Sequence, residues 1–327
     1  MSRITGTQRI AGASALALAA AMGACSEPAT SSRRGENVAV AETTPIAPPA
    51  ALQVSTADSP STTADERARA TQQPVAAISY SDAESVYRKG RYADAAELFG
   101  AYAAAHPRSV SGQYMLGLSA WKAGDRGRAQ EALLRAVELD SSHVKARTNL
   151  SRVLLEQGRA ADALPHMEKA VALAPSSHEV WRVLGNVRSE LGRSAEAIEA
   201  YRHALIRNEQ DAWSMNNYGL VLIQQGRYEE AVPPLARAVE LVPGSPVFLN
   251  NLGVALERTG ELGAAASVFA AAVEADSTFT KAKISLDRLQ ARLGEAPITE
   301  PDLSAFAADF IAELQRWRIA RPEHEGC

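Results

Sequence analysis

The sequence is poor in the residues that build disulfide frameworks and metal sites. Two cysteines occur among 327 residues, Cys25 and Cys327, and they cannot form a useful framework if one of them is covalently modified. The six histidines, at positions 106, 143, 166, 178, 203 and 324, have no spacing typical of a metal-binding pair. We therefore predict no metal site and no cofactor.

Motifs for catalysis or nucleic-acid binding are also missing. The chain has no glycine-rich phosphate loop, no Gly-X-Ser-X-Gly sequence and no Cys-X-X-Cys pair. Its formal net charge is −4, and no basic patch with interleaved aromatic residues occurs, which argues against nucleic acid as a partner. These absences predict a protein that is not an enzyme and has no catalytic residues.

What the sequence does contain is an internal repeat with a period of 34 residues. Glycine recurs at this spacing, without insertion or deletion, at Gly90, Gly124, Gly158, Gly192, Gly226, Gly260 and Gly294. Alanine recurs five places after the first six glycines, at Ala95, Ala129, Ala163, Ala197, Ala231 and Ala265. A fixed period of this length indicates stacked structural units, and we place six of them in residues 76–279.

Each unit is predicted to form two helices. In the fifth unit, Met215, Tyr218 and Leu222 are spaced by three and four residues, as on one face of a helix. Gly226 then ends that helix, and a second apolar pattern of the same kind follows. Because two antiparallel helices about 8–10 Å apart need small residues at their contact, we expect the close approach at Gly117, Gly185, Gly219 and Gly253. No stretch of the chain is left for a catalytic domain.

The fourth unit carries the pattern most fully, at Trp181, Leu184, Gly185, Gly192, Ala197, Tyr201 and Ala204. This pattern resembles the signature of the tetratricopeptide repeat. The resemblance implies an all-α fold, a right-handed superhelical solenoid of six helix pairs with C-terminal capping helices. It also implies that the first helix of each pair lines a concave groove, which in this family holds an extended peptide or a partner's helix. Tyr102 departs from the pattern, because the other units have alanine at its place.

The N-terminus differs in kind from the repeats. Arg3 and Arg9 precede an uncharged run from Ile10 to Ala24, which is shorter than the roughly 20 residues that span a bilayer. We predict that residues 1–24 are a signal peptide. The stretch 22–25 resembles a bacterial lipobox, which implies lipidation of Cys25. The alternatives are a secreted protein with ordinary cleavage and a chance apolar start.

Residues 25–75 are predicted to be a lipidated cysteine followed by a disordered tether, because they are rich in Ala, Ser, Thr and Pro and have almost no aromatic residues. A flexible coil of about 50 residues reaches roughly 35–40 Å. Ser26 resembles the sorting residue of outer-membrane lipoproteins. We therefore expect the protein in the bacterial cell envelope, at the outer membrane facing the periplasm, with membrane contact only through the N-terminal lipid.

Residues 280–320 are predicted to form capping helices, with a tail at 321–327. The stretch 280–294 begins a seventh unit, and Thr299, Pro301 and Asp302 mark the start of a further helix. That helix has one apolar stripe, made of Leu303, Phe306, Phe310, Leu314 and Trp317. We expect it to cover the exposed face of the last repeat; the alternative is a helix that docks on a partner.

The predicted groove has a recurring asparagine. Asn149, Asn217 and Asn251 stand at the same place in their first helices and resemble the ladders that hold a peptide backbone in some tetratricopeptide proteins. An amide suits that contact because it donates and accepts hydrogen bonds at once. The full set of predicted peptide-binding residues is Tyr114, Trp121, Lys145, Asn149, Arg152, Arg182, Asn186, Trp213, Asn217, Asn250 and Asn251. The alternative is a solvated surface on which asparagines bond to neighbouring helices.

Three of these residues resemble part of a carboxylate clamp, which in some tetratricopeptide domains holds a partner's C-terminal carboxylate. They are Arg182, Asn186 and Asn217; the other two places hold Val247 and Asn251 instead of basic residues. We expect the three to bind a carboxyl group, with Arg182 supplying charge. We also expect Arg182 to matter little for folding, because it is predicted to face the groove.

The sequence therefore predicts a non-enzymatic scaffold or adaptor that binds a protein or peptide ligand in its groove. A six-repeat lipoprotein resembles the pilotins of type IV pilus systems, and also adaptor lipoproteins that gather cell-wall hydrolases and proteases. Two alternatives remain open: a soluble co-chaperone or adaptor, and an accessory unit of a separate enzyme.

Overall fold

The computed structural model describes residues 78–294 and 296–319, and these ranges contain helices but no strand. The predicted signal peptide, Cys25, the tether and the tail lie outside the described residues. Fourteen helices follow one another in the described ranges: α1 (Tyr80–Arg88), α2 (Tyr92–Ala105), α3 (Val110–Lys122), α4 (Arg126–Leu139), α5 (Val144–Glu156), α6 (Ala160–Leu173), α7 (His178–Glu190), α8 (Ser194–Arg207), α9 (Ala212–Gln224), α10 (Tyr228–Leu241), α11 (Pro246–Thr259), α12 (Leu262–Ala275), α13 (Thr280–Leu293) and α14 (Leu303–Ile319).

Helices α1 to α12 form six pairs, and a glycine of the 34-residue period follows the first helix of each pair. The seven glycines of this period all have positive φ, from 58° at Gly294 to 94° at Gly260. A residue with a side chain rarely adopts this left-handed conformation, so glycine lets the chain leave one helix and enter the next. The predicted helix ends are confirmed.

The two helices of a pair touch at a second set of glycines, Gly117, Gly185, Gly219 and Gly253. These glycines hold the same place in their units, and we call such a set of equivalent places a column. A methyl group at Gly117 would lie 2.6 Å from Leu133 Cγ, and one at Gly253 would lie 2.8 Å from Phe269 Cε1. Neither distance is tolerable, so only glycine permits this approach. The alanines five places after the periodic glycines are all fully buried: Ala95, Ala129, Ala163, Ala197, Ala231 and Ala265. The expected close contact is confirmed.

The departure at Tyr102 is compensated in the next unit. Its ring lies against Gly112 of α3, where an added methyl group would be 2.9 Å from Tyr102 Cδ1. Tyr80 meets the same ring edge-on, with 5.6 Å between ring centroids. In the first unit, aromatic rings therefore occupy the space between helices. In the other units, alanine at the place of Tyr102 lets the helices come closer together.

The first helices form the inner face of the solenoid. Neighbouring first helices contact each other from α1 to α13, whereas the second helices of successive units do not do so within the described ranges. The first helices are therefore more closely spaced, which makes their face concave. Among the described helices, none has the length and apolar character needed to cross a membrane.

The repeat stops at α13 for a reason visible in the sequence. Asp287 is exposed and stands 34 residues after Gly253, in the column that supplies the contact glycines of earlier units. A second helix packed at the same distance would bury this carboxylate, at a high cost in free energy. The seventh unit therefore consists of α13 alone.

Helix α14 lies elsewhere than predicted. It packs on the second helices α8 and α10, not over the last repeat. Its stripe is buried at Ala307, Phe310, Leu314 and Trp317. The expectation that this helix covers the last repeat was wrong, because an apolar stripe shows that a helix must be covered and does not specify which surface covers it.

One departure from the repeat pattern, Tyr218, and one small residue, Ala236, form the docking place of α14. Tyr218 stands in a column that holds leucine in all the remaining units except the first. Its ring centroid lies 6.0 Å from that of Phe310 and 5.8 Å from that of Trp317. Ala236 of α10 is fully buried, whereas the same column has Arg202 in the preceding unit. Arg202 instead places its guanidinium carbon 4.7 Å from the centre of the Trp317 ring.

Candidate binding groove

An unbroken series of side-chain amides crosses three first helices on the concave face. Asn251 Nδ2 of α11 donates to Asn216 Oδ1 of α9 over 2.9 Å. Asn216 Nδ2 donates to Asn217 Oδ1 over 3.0 Å, and Asn217 Nδ2 donates to Asn186 Oδ1 of α7 over 2.9 Å. At the α11 end, Asn250 Nδ2 lies 3.5 Å from Asn251 Oδ1. We call these five residues, Asn250, Asn251, Asn216, Asn217 and Asn186, the amide row.

The amide row is anchored at its α7 end by a tyrosine. The hydroxyl of Tyr201, from α8, donates to Asn186 Oδ1 over 2.9 Å. Burial raises the pKa of Tyr201 far above its ordinary value, so this hydroxyl stays a neutral donor. Asn186 Oδ1 therefore receives two hydrogen bonds, which fix the amide's orientation.

Access to the amide row differs between its ends. Asn216 is 0% exposed, Asn251 5% and Asn250 8%, whereas Asn186 and Asn217 are half-buried. An amide nitrogen carries two N–H groups, and Asn217 uses one of them within the row. The row is therefore open to a ligand at α7 and α9 and closed at α11.

Sequence reasoning found four members of the amide row and missed Asn216. The missed residue is the most deeply buried of the five, and it connects α9 to α11. Its signal was present in the repeated Asn-Asn pairs at 216–217 and 250–251. The hydrogen bonds run from Asn251 to Asn216 and from Asn216 to Asn217, so both asparagines of the pair in α9 are needed to continue the row.

Asn149 belongs to a separate set of contacts nearer the N-terminus. Its Nδ2 donates to the Tyr114 hydroxyl over 3.1 Å, and its Oδ1 accepts from Arg152 Nη1 over 3.1 Å. Arg152 also forms an ion pair with Glu179, at 2.7 Å. Burial alone raises the pKa of Glu179. The charge and hydrogen bond of Arg152, together with the charges of Arg182 and His178, outweigh burial, and the pKa lies below its ordinary value.

Arg182 is committed to a buried carboxylate. Its Nη1 lies 2.6 Å from Asp211 Oδ1, and the Asp211 side chain is 3% exposed. Asp211 caps the N-terminus of α9 and also accepts from Ser214 Oγ at 2.8 Å, while His178 Nδ1 lies 3.1 Å from it. Burial alone raises the pKa of Asp211, but the Arg182 charge and these hydrogen bonds outweigh it and hold the pKa below its usual value.

This contact corrects the predicted partial clamp. The structure brings Asn186 and Asn217 together, but the charge of Arg182 is neutralised by Asp211. A ligand carboxylate at Arg182 would have to compete with a carboxylate that is already buried and bonded. The expectation that Arg182 matters little for folding is therefore no longer supported.

The aromatic and lysine members of the predicted set differ in their contacts. Trp121 Nε1 donates to Glu156 Oε1 over 2.9 Å, so its polar edge is already bonded. Trp213, at the start of α9, is 48% exposed and meets Phe248 edge-on at 4.8 Å between centroids. Lys145, at the start of α5, is exposed. Trp213 therefore offers the open apolar surface beside the amide row.

Comparison with known proteins agrees with this geometry. A sequence model described as Tetratricopeptide repeat matches residues 114–178, 182–246 and 247–278. The chain belongs to the tetratricopeptide repeat family. Among curated protein sequences, none matches it.

Several solved structures are similar to this tetratricopeptide protein. PilF of Pseudomonas aeruginosa has 19% identity and a TM-score of 0.51, covering 65% of this chain and 93% of its own. TTC0263 of Thermus thermophilus has 21% identity and a TM-score of 0.49, covering 56% and 100%. MamA of Desulfovibrio magneticus RS-1 has 21% identity and a TM-score of 0.46, covering 49% and 91%. At these identities the likeness shows the fold alone.

The family bears on the class of function. Tetratricopeptide repeats are in general non-enzymatic scaffolds for interaction with proteins or peptides. In the part of the chain that the structure describes, no group of three or more His, Cys, Asp or Glu side chains is placed to hold a metal ion.

Proposed function

We propose that the protein is an adaptor that binds an extended peptide segment of a partner on its concave face. The observation that carries this proposal is the amide row, whose members are held in place by each other and by Tyr201. An extended peptide presents a backbone N–H and C=O at every non-proline residue. Amides that are already oriented bind such a backbone with little further loss of conformational entropy.

Trp213 supplies the apolar part of the proposed site. Its ring is half exposed beside the open end of the row, and tryptophan is enriched among the residues that dominate binding energy at interfaces. A peptide that bonds to Asn186 and Asn217 and places an apolar side chain on Trp213 uses both features. The charges of Arg152 and Arg182 are neutralised within the protein, so they are not the main attraction.

A random library of 12-residue peptides with blocked ends, selected on the full chain, tests this proposal. We expect selected peptides to bind Trp213→Ala at least about tenfold more weakly, since truncating such a residue costs about 1.4 kcal/mol or more. The matched control is Lys169→Ala, an exposed position on the second helix α6, which should leave binding unchanged. Equal affinity of the selected peptides for the Trp213→Ala chain and the unsubstituted chain would refute the proposal that they bind on the concave face.

We further propose that the adaptor is a lipoprotein of the bacterial outer membrane that faces the periplasm. Support comes from the sequence alone: the basic start, the short apolar run and the lipobox-like stretch that ends at Cys25. Metabolic labelling with a palmitate analogue tests it. Label on the unsubstituted chain should disappear in Cys25→Ala; an unlabelled chain, or label that survives the substitution, would favour the soluble adaptor.

A further inference from the structure

Glu190 is a charged group of the first helices that has no partner in the described part of the chain. It is the last residue of α7 and is exposed. Among the described residues it makes no hydrogen bond and no ion pair, in contrast to Glu156, Glu179 and Glu257, which are all paired with arginine.

The repeat explains why Glu190 is unpaired. Glu156 stands 34 residues earlier and is bonded by Trp121 Nε1 at 2.9 Å and by Arg126 Nε at 2.8 Å. One period later, the places of Trp121 and Arg126 are held by Leu155 and Ala160. The acid has been kept in this unit, but its donor and its cation have been replaced by apolar residues.

Glu190 lies beside the open end of the amide row. It follows Asn186 by four residues on α7, so the two share one face of the helix, about 5–6 Å apart along it. Asn186 and Asn217 are the two accessible amides of the row. A lysine or arginine side chain, which is about this long when extended, would reach Glu190 from a backbone held at Asn186.

The electrostatic surroundings agree with this position. Although Glu190 is exposed, the protein atoms around its carboxyl group partly desolvate it and raise its pKa. Burial raises the pKa of Tyr201 as well, and the Glu190 charge adds to that shift. The carboxyl group therefore lies near the tyrosine that anchors the amide row, and an incoming cation would relieve the cost of its partial desolvation.

We propose that Glu190 binds a basic side chain, arginine or lysine, of the extended peptide whose main chain lies on Asn186 and Asn217. This inference rests on the proposed function and names the chemistry of its ligand. It reverses the charge expected from the clamp resemblance: beside Asn186 the groove selects a cation, because Arg152 and Arg182 are paired with acidic residues and Glu190 is not.

The test uses the peptides selected on the full chain from the blocked 12-residue library. Each arginine is replaced by citrulline, which has nearly the same shape but no charge, and the affinity ratio of the two peptides is measured. For the unsubstituted chain we expect a ratio of about 10 or more at one position, the size of one charge-assisted hydrogen bond. For Glu190→Gln the ratio should fall below about 2. The matched control is Glu156→Gln, which should keep the full ratio.

A thermal melt separates this role from a structural one. Glu190→Gln should leave the melting temperature unchanged or raise it, since no ion pair is lost. Peptides that need Trp213 but show no charge preference, a ratio unchanged in Glu190→Gln, or a lowered melting temperature would each overturn the inference while leaving the proposed function standing. If no selected peptide depends on Trp213, the proposed function itself fails.

Discussion

Replacing Arg182 by alanine should destabilise the protein strongly. The substitution removes the cation 2.6 Å from Asp211 and leaves a carboxylate whose side chain is only 3% exposed. Breaking a buried ion pair by removing one partner costs about 3–5 kcal/mol. Ser214 and His178 still contact Asp211 after the change, so we expect a loss of about 3 kcal/mol, the lower end of that range.

Urea unfolding at a series of pH values measures this effect and its origin. The pKa of Asp211 is lowered in the folded state, so the stability it contributes is present above its unfolded pKa, about 3.9. That stability is lost as the pH falls through the folded value. The difference between the unsubstituted chain and Arg182→Ala should therefore be full at pH 7 and shrink below about pH 4.

An exposed ion pair supplies the control for Arg182. Arg135 and Glu138 lie 3.0 Å apart with side chains 47% and 52% exposed, and such pairs contribute about 0–1 kcal/mol. Arg135→Ala should therefore have little effect at any pH. If Arg182→Ala costs no more than this control, or if its effect is the same at pH 3 and pH 7, the reasoning about the buried carboxylate is refuted.

Four other predictions concern packing. Phe310→Ala should lower the free energy of unfolding by about 3 kcal/mol and speed hydrogen exchange in α10; faster exchange confined to α13 would contradict the docking of α14. Adding Tyr218→Leu to that variant should cost about 0.5–1.5 kcal/mol less than Tyr218→Leu does alone, because the aromatic pair is already lost; strictly additive losses would exclude that coupling. Ser119→Ala should raise the melting temperature, since the fully buried Ser119 hydroxyl has no hydrogen-bond partner among the described residues and leaving it unbonded costs about 1–3 kcal/mol; a lower temperature would refute this. Gly185→Ala should cost about 1–3 kcal/mol in chemical denaturation by overpacking against α8, whereas Gly127→Ala, with no atom closer than 3.7 Å to the added methyl, should not destabilise.

The fold was predictable because its constraints repeat. A glycine needed at the end of one first helix is needed at the end of each of them, so Gly226 and its counterparts recur with a regularity that chance does not produce. Glycine also recurs at the helix contact in four of the six units, as at Gly219, where an added methyl would lie 2.5 Å from Leu235 Cγ. A residue type that recurs at one place in the repeat indicates the same local backbone conformation or helix contact in each unit that has it.

The position of α14 was not predictable from its own sequence. Its apolar stripe shows that the helix must be covered and does not specify by which surface. The deciding residues lie on the acceptor: Tyr218 in a leucine column and Ala236 where the preceding unit has Arg202. An exception to the repeat such as Tyr218 is the signal to look for, because it marks where one unit meets something that its neighbours do not meet.

The binding face shows the same limit in a different form. A column predicts that Arg182 and Glu190 lie on first helices, and both do. It does not predict whether their charges are free, because that depends on residues from other columns: Asp211 lies 29 residues after Arg182, which is not the period of the repeat. Arg182 is paired with a residue outside the repeat spacing. The residues that bond to Glu156 are replaced by Leu155 and Ala160 one period later, where they would have met Glu190. The charge that a repeat surface presents to a ligand therefore depends on the places where one unit differs from its neighbours. In this protein those differences leave the Glu190 carboxylate beside the accessible amides of Asn186 and Asn217.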